Sequence, residues 1–173
     1  ESVPATPPSH AFVWDRWLCV PVSRRGCPYQ NTKLHHACSG REGRAIGGIS
    51  RGGFWAFSIA FRNADRFTAV GGHSPFFAPD NAPNSHNPLA LAEVAPGIET
   101  LRMYLDNSQS EISGPNVIAF ATSLNNRGIP HSYTVNPQGD HDNDYWSAHL
   151  DEYLAFYGEN WTREVAGLTS CQQ

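Results

Sequence analysis

No stretch of this chain carries a run of one charge sign; its formal net charge is −4 and the charged residues are dispersed. That excludes the clustered basic footprint by which proteins neutralise nucleic-acid phosphates, so no nucleic-acid partner is expected. Long hydrophobic runs are missing too. The longest apolar stretch surrounds Phe54–Phe61, far short of the roughly 20 residues a membrane helix requires, so no membrane partner is expected. Cysteine is sparse and uneven, at Cys19, Cys27, Cys38 and Cys171. The even count permits disulfides, but the spacing fits no framework. His35, His36 and Cys38 form the one cluster suggestive of metal ligands. They lack the paired Cys-x2-Cys and His-x3-His spacing of a structural zinc site, so they read as a polar loop and no metal is expected. The chain opens on Glu1 without a start methionine or signal peptide, so any targeting segment is absent or was removed.

What is present is enough to fold. The chain has 173 residues, 40% of them apolar and 12% aromatic, which suits one domain with a real core. Two unlike parts emerge. Residues 1–43 read as an irregular N-terminal segment: Ser2–Ser9 is rich in Pro, Ser and Thr, and Arg24–Arg41 is polar. A strand near Trp17–Val22 is the only element expected there. Residues 44–173 are regular. Arg44–Ile49 is a short apolar run of the kind a buried strand needs, and Arg51–Asn63 is apolar nearly all round, as in a helix packed on a sheet. Strand Phe67–Gly72 follows, then the loop Ser74–Pro88 with four prolines. Helix Leu89–Val94, strand Leu101–Asp106, helix Pro115–Asn126, strand His131–Asn136 and helix Asn143–Trp161 complete the chain. In the last helix Trp146, Leu150, Tyr153, Leu154 and Tyr157 share one face, with Asn143 as N-cap. Alternating strand and helix imply a parallel sheet flanked by helices, with ligands beyond the carboxyl ends of the strands.

Chemistry should therefore sit where strands end. Gly48-Ile-Ser50-Arg-Gly52 fits G-x-S-x-G, between a strand and a helix. Such a turn lifts the serine hydroxyl above the sheet edge, and the flanking glycines avoid a clash. The N–H of Arg51 is the expected oxyanion donor, at a helix N-terminus with positive potential. A serine hydroxyl needs a base. His141, between the last strand and the last helix, is the candidate, and His73 is its rival or a pocket residue. The acid that orients the base should follow strand Leu101–Asp106, which leaves Asp106 and Glu111. Asp140, Asp142 and Asp144 are too close to His141 in sequence and read as helix caps or solvated groups. The loop Ser74–Pro88, with Phe76 and Phe77, is the expected pocket wall.

Gly47-Gly-Ile-Ser-Arg-Gly-Gly53, then Gly71-Gly-His-Ser-Pro75, then Tyr104-Leu-Asp106, then Pro137-Gln-Gly-Asp-His141 with Trp146, resemble the putative esterase family. That family contains esterase D (S-formylglutathione hydrolase), enterochelin esterases, feruloyl esterases and mycolyltransferases. The resemblance implies an α/β-hydrolase-like fold, a small-molecule ester substrate and no cofactor. The family's acid usually stands in Leu-Asp-x-Gly-x-x-Asp. Here Leu105-Asp106-Asn107-Ser108-Gln109-Ser110-Glu111 puts Glu111 at that position, with Asp106 as the alternative acid. Ser108 stands for the usual glycine and Glu111 for aspartate; glutamate serves in some hydrolase triads.

Family members also carry several strands before the serine turn, and one loop there supplies a second oxyanion N–H. Residues 1–43 do not look like those strands, so the chain is expected to be an N-terminally truncated or rearranged product with a frameshifted leading segment. A four-stranded parallel sheet would then expose an edge. Either residues 1–43 cover it, or a second copy does in a homo-oligomer, or the protein is marginally stable. The expected activity is a serine carboxylic ester hydrolase acting through an acyl-enzyme. The alternatives are an acyltransferase that moves the acyl group to a sugar, and a truncated hydrolase with impaired catalysis.

Overall fold

The computed structural model describes residues 11–15 and 41–159. Strands β2 (Arg44–Ile49), β3 (Ala69–His73), β4 (Arg102–Ser108) and β5 (Ser132–Asn136) lie side by side in that order, all parallel. The register sets Ile49 beside His73 and His73 beside Asp106. Three carboxyl-terminal strand ends thus meet at one edge, the place where an α/β sheet presents its site.

Strand β1 (Ala11–Asp15) runs antiparallel along the outer side of β2, from Ala11 opposite Gly48 to Asp15 opposite Arg44. The edge of β2 is therefore covered from within the chain, by a strand several residues earlier than the Trp17–Val22 segment. Residues 17–22 lie outside the described residues, as do His35, His36 and the four cysteines.

Helices α1 (Arg51–Arg62), α2 (Pro88–Val94) and α3 (Gly114–Asn126) cover one face of the sheet. Their core is aromatic: Phe57 meets Phe120 edge-on at 5.0 Å, and Phe77 lies 4.6 Å from Phe120 between ring centroids. Contacts of this kind add about 0.5–1.5 kcal/mol each beyond the area they bury. The loop leading to α2 is held by Asn87, which donates to the carbonyls of Ala78 and Pro79 and caps α2 through Leu89 N. Helices α4 (Asn143–Ala148) and α5 (Leu150–Gly158) follow β5, and the buried Tyr153 and Tyr157 pack with Ala45 and Ala69 in a second apolar cluster. At Gly47 and Gly71 a Cβ would overlap the Tyr157 hydroxyl, so these glycines clear the space in which that ring rests.

The last helix differs from the sequence reading. It breaks at His149 instead of running unbroken from Asn143 to Trp161. The break re-phases the helix, leaving Leu150 49% and Leu154 37% exposed while Tyr145, Tyr153 and Tyr157 are buried. The N-cap is Asp142, whose Oδ1 accepts from Tyr145 N at 2.9 Å, and Asn143 is the first helical residue. Strand β4 runs two residues beyond Asp106, because Asn107 and Ser108 pair with Val135 and Asn136.

Candidate active site

Ser50 stands on the turn from β2 into α1 with φ 55° and ψ −119°, a conformation that costs a non-glycine residue about 1–3 kcal/mol. Three backbone hydrogen bonds hold it there. Ser50 N donates to His73 O at 2.9 Å, while Phe76 N and Phe54 N donate to Ser50 O at 3.0 and 3.3 Å. Gly48 makes the turn possible, because a Cβ there would run into the backbone of Gly52. The first N–H groups of a helix have no partner within it, so the start of α1 turns both unpaired donors and the positive end of its dipole toward the serine.

The chain comes back to Ser50 twice more. The loop after β5 carries His141, whose Nε2 lies 2.8 Å from Ser50 Oγ. The loop after β4 carries Glu111, whose Oε2 lies 2.8 Å from His141 Nδ1. Glu111 is almost wholly enclosed, its side chain 2% exposed, whereas the His141 ring is 37% exposed. A carboxylate only accepts, so Nδ1 carries the proton in the neutral ring, and Nε2 accepts from the serine hydroxyl. Trp146 sets its ring edge-to-face with His141 at 5.1 Å. A cavity of about 840 Å³ opens over these groups, walled also by Phe76, Ile112 and Trp146.

This arrangement can be set beside known proteins. The family model described as "Putative esterase" matches residues 28–157. The chain belongs to the putative esterase family. No curated protein matches it in sequence. Among solved structures it is similar to a ferulic acid esterase, with a TM-score of 0.64 and 23% identity over 75% of this chain and 57% of that one. It is also similar to S-formylglutathione hydrolase from Staphylococcus aureus, at TM-score 0.60 and 18% identity over 75% and 58% of the two chains. A fluorophosphonate-binding serine hydrolase F of the same organism aligns at TM-score 0.58 and 18% identity over 68% and 55%. These likenesses establish the α/β-hydrolase fold, and the chain spans a little over half the length of each of the three.

Within this esterase-family fold, several sequence-predicted residues take other places. Asp106 does not approach His141. Its carboxylate is fully buried, with Oδ1 3.2 Å from His73 Nδ1, and Oδ2 accepts from Tyr145 Oη at 2.6 Å and Tyr153 Oη at 2.9 Å. Those tyrosines belong to α4 and α5, so Asp106 faces the helices while Glu111, on the loop beyond, reaches the cavity. His73 is not a pocket residue either. It is 4% exposed, its ring stacks on Tyr153 at 3.6 Å, and its Nε2 lies 2.9 Å from Tyr157 Oη. What His73 gives the site is its backbone carbonyl, which accepts from Ser50 N. Phe77 is buried in the aromatic core, and of the two adjacent phenylalanines only Phe76 lines the cavity.

Burial, reinforced by the Asp106 carboxylate, pushes the Tyr145, Tyr153 and Tyr157 hydroxyls well above the ordinary phenol range. All three stay neutral as the network requires, since a phenolate would lose its proton donation and face a buried carboxylate. Sequence reasoning passed over this network and also over Ser110, which lines the cavity beside Glu111. The spacing of Tyr145, Tyr153 and Tyr157, eight and then four residues apart, was the available signal for the first. Among the described residues, no three His, Cys, Asp or Glu side chains converge as metal ligands, and no helix is long and apolar enough to cross a membrane.

Proposed function

We propose that this protein is a serine carboxylic ester hydrolase working through an acyl-enzyme, with Ser50 as nucleophile, His141 as general base and Glu111 as the acid that orients it. One observation carries the reading: Ser50 Oγ, the two nitrogens of His141 and Glu111 Oε2 form a continuous chain of 2.8 Å contacts at the wall of a cavity.

In this reading Ser50 Oγ attacks the ester carbonyl while Nε2 of His141 takes its proton. The oxyanion that forms is met by the N–H of Arg51, at the positive end of α1. His141 returns the proton to the leaving alcohol, and the acyl group stays on Ser50. A water then gives a proton to the same nitrogen and attacks the acyl carbon; His141 passes that proton to Ser50 Oγ as the acyl bond breaks, releasing the acid and restoring Ser50. The His141 ring is 37% exposed and lines the cavity, so a water there can reach the base. Glu111 stabilises the imidazolium formed in each half-reaction and holds the tautomer that leaves Nε2 free.

The test is hydrolysis of p-nitrophenyl acetate by wild-type and Ser50→Ala protein, with the burst monitored and both proteins shown to be folded. Turnover in the wild type that vanishes in the variant is the expected result. Equal, near-background rates from two well-folded proteins would end the proposal.

A further inference from the structure

We infer that Ser110, together with Ser108, is a positioning residue for the base, a hydroxyl strap that sets the distance between the Glu111 loop and the His141 loop. The inference rests on the assignment of Ser50, His141 and Glu111 made above. Ser110 Oγ lies 2.8 Å from the carbonyl oxygen of Gly139, across 29 residues of sequence, and Ser108 Oγ lies 3.0 Å from Ser110 Oγ. A carbonyl can only accept, so Ser110 spends its single proton on Gly139. Its own oxygen must then accept from Ser108, and the three groups form a directed chain from β4 to the His141 loop. Asp140 Oδ1, at 3.4 Å, is a longer contact of the same hydroxyl. Below the strap the loops are tied again, through Gln109 N donating to Asn136 O at 2.8 Å.

The strap lies where it matters. Glu111 follows Ser110 directly, and His141 is two residues beyond Gly139. The Glu111–His141 contact depends on one oxygen, because Glu111 Oε1 is buried with no hydrogen-bond partner among the described residues. The receiving loop has little freedom of its own. Gly139 turns it with φ 110°, and a Cβ at that residue would overlap the Tyr145 ring. Tyr145 therefore fixes the far side of the loop and Ser110 fixes its near side. The source end is equally secure, since Ser108 is fully buried and still paired within β4. Ser110 is exposed, so replacing it should leave the core intact.

The experiment compares kcat and KM for p-nitrophenyl acetate in wild type, Ser110→Ala, Ser110→Thr, Glu111→Ala and the double variant Ser110→Ala/Glu111→Ala, with melting temperatures alongside. Ser110→Ala is expected to lower kcat about tenfold at unchanged KM, the scale on which small misplacements of a catalytic group act. Ser110→Thr, which keeps the hydroxyl, should recover most of that loss. In the Glu111→Ala background the Ser110 substitution should cost nothing further, because groups that act through one another are not additive. Wild-type kcat in Ser110→Ala would overturn the strap, as would an undiminished tenfold loss on top of Glu111→Ala. Neither outcome touches the serine assignment, which stands or falls on Ser50→Ala. Should Ser110→Ala fail to fold, Ser108→Ala takes its place: it removes only the upstream donor and should lower kcat about threefold, and an unchanged kcat would overturn the proposal.

Discussion

The molecule contains two carboxylate–histidine–hydroxyl chains, and their difference separates a site from a scaffold. In one, Glu111, His141 and Ser50 meet at the cavity wall with 2.8 Å between each pair. In the other, Asp106, His73 and Tyr157 are connected at 3.2 and 2.9 Å, with all three side chains buried. The groups are alike in kind. The first chain ends in a serine on a strained turn whose hydroxyl faces open space, while the second ends in a tyrosine whose proton burial locks in place. Tyr145 and Tyr153 also bring both helices after β5 onto Asp106, so the second chain binds α4 and α5 to the sheet. An acid, a histidine and a hydroxyl in a row are not enough to propose a catalytic site; here access and backbone geometry separate the two chains.

Exchanging the acids should give the sharpest contrast. Glu111→Gln keeps the shape but lets the imidazole take the wrong tautomer, so kcat should fall by about 10³–10⁴ with little change in melting temperature. Asp106→Asn should do the reverse, destabilising the fold by about 3 kcal/mol, because an amide cannot accept from all the donors gathered on that carboxylate. Calorimetry together with steady-state rates checks both, and a stable, inactive Asp106→Asn would break the comparison.

Alkaline pH should act on the buried chain first. The tyrosine pKa values are raised in the folded state, so their stabilisation is complete below the unfolded value near 10 and declines as pH rises beyond it. Each such tyrosine adds a slope of about 1.4 kcal/mol per pH unit above that point. Urea titrations between pH 8 and 11 should show this fall, and Tyr153→Phe should make it shallower. The smallest effect concerns the strained turn: Ser50→Gly should remove activity yet raise stability by about 1 kcal/mol, since glycine accepts a positive φ without strain. A destabilised Ser50→Gly protein would mean that the serine side chain supports the fold as well as the chemistry.

Some of this was legible from residues alone. Gly48-Ile-Ser50-Arg-Gly52 between an apolar run and a helix specified the strand-to-helix turn that carries Ser50, because the signals are local: glycines where a Cβ cannot fit, and a period that changes within a few residues. The parallel order of β2 to β5 followed from the alternation of strand and helix. Other features were not legible. Asp106 and Glu111 are five residues apart, and their spacing alone does not say which faces the cavity; only the family resemblance pointed to Glu111. The apolar residues of the last helix keep helical spacing across the break at His149, and Asn143 resembles a cap as much as Asp142 does, so neither the break nor the true cap shows in the residues.

The sequence by itself determined strands β2 to β5, their parallel arrangement and the turn that presents Ser50, because each depends on interactions within a few residues along the chain. The family pattern pointed to Glu111 as the partner of His141, but only the tertiary structure decided that Asp106 and His73 turn inward to the tyrosines and that β1 covers the edge of β2. Those choices depend on strand register and on loops closing across some 30 or more residues. There the deciding quantity is which buried donors and acceptors can all be satisfied at once, and no local pattern records it.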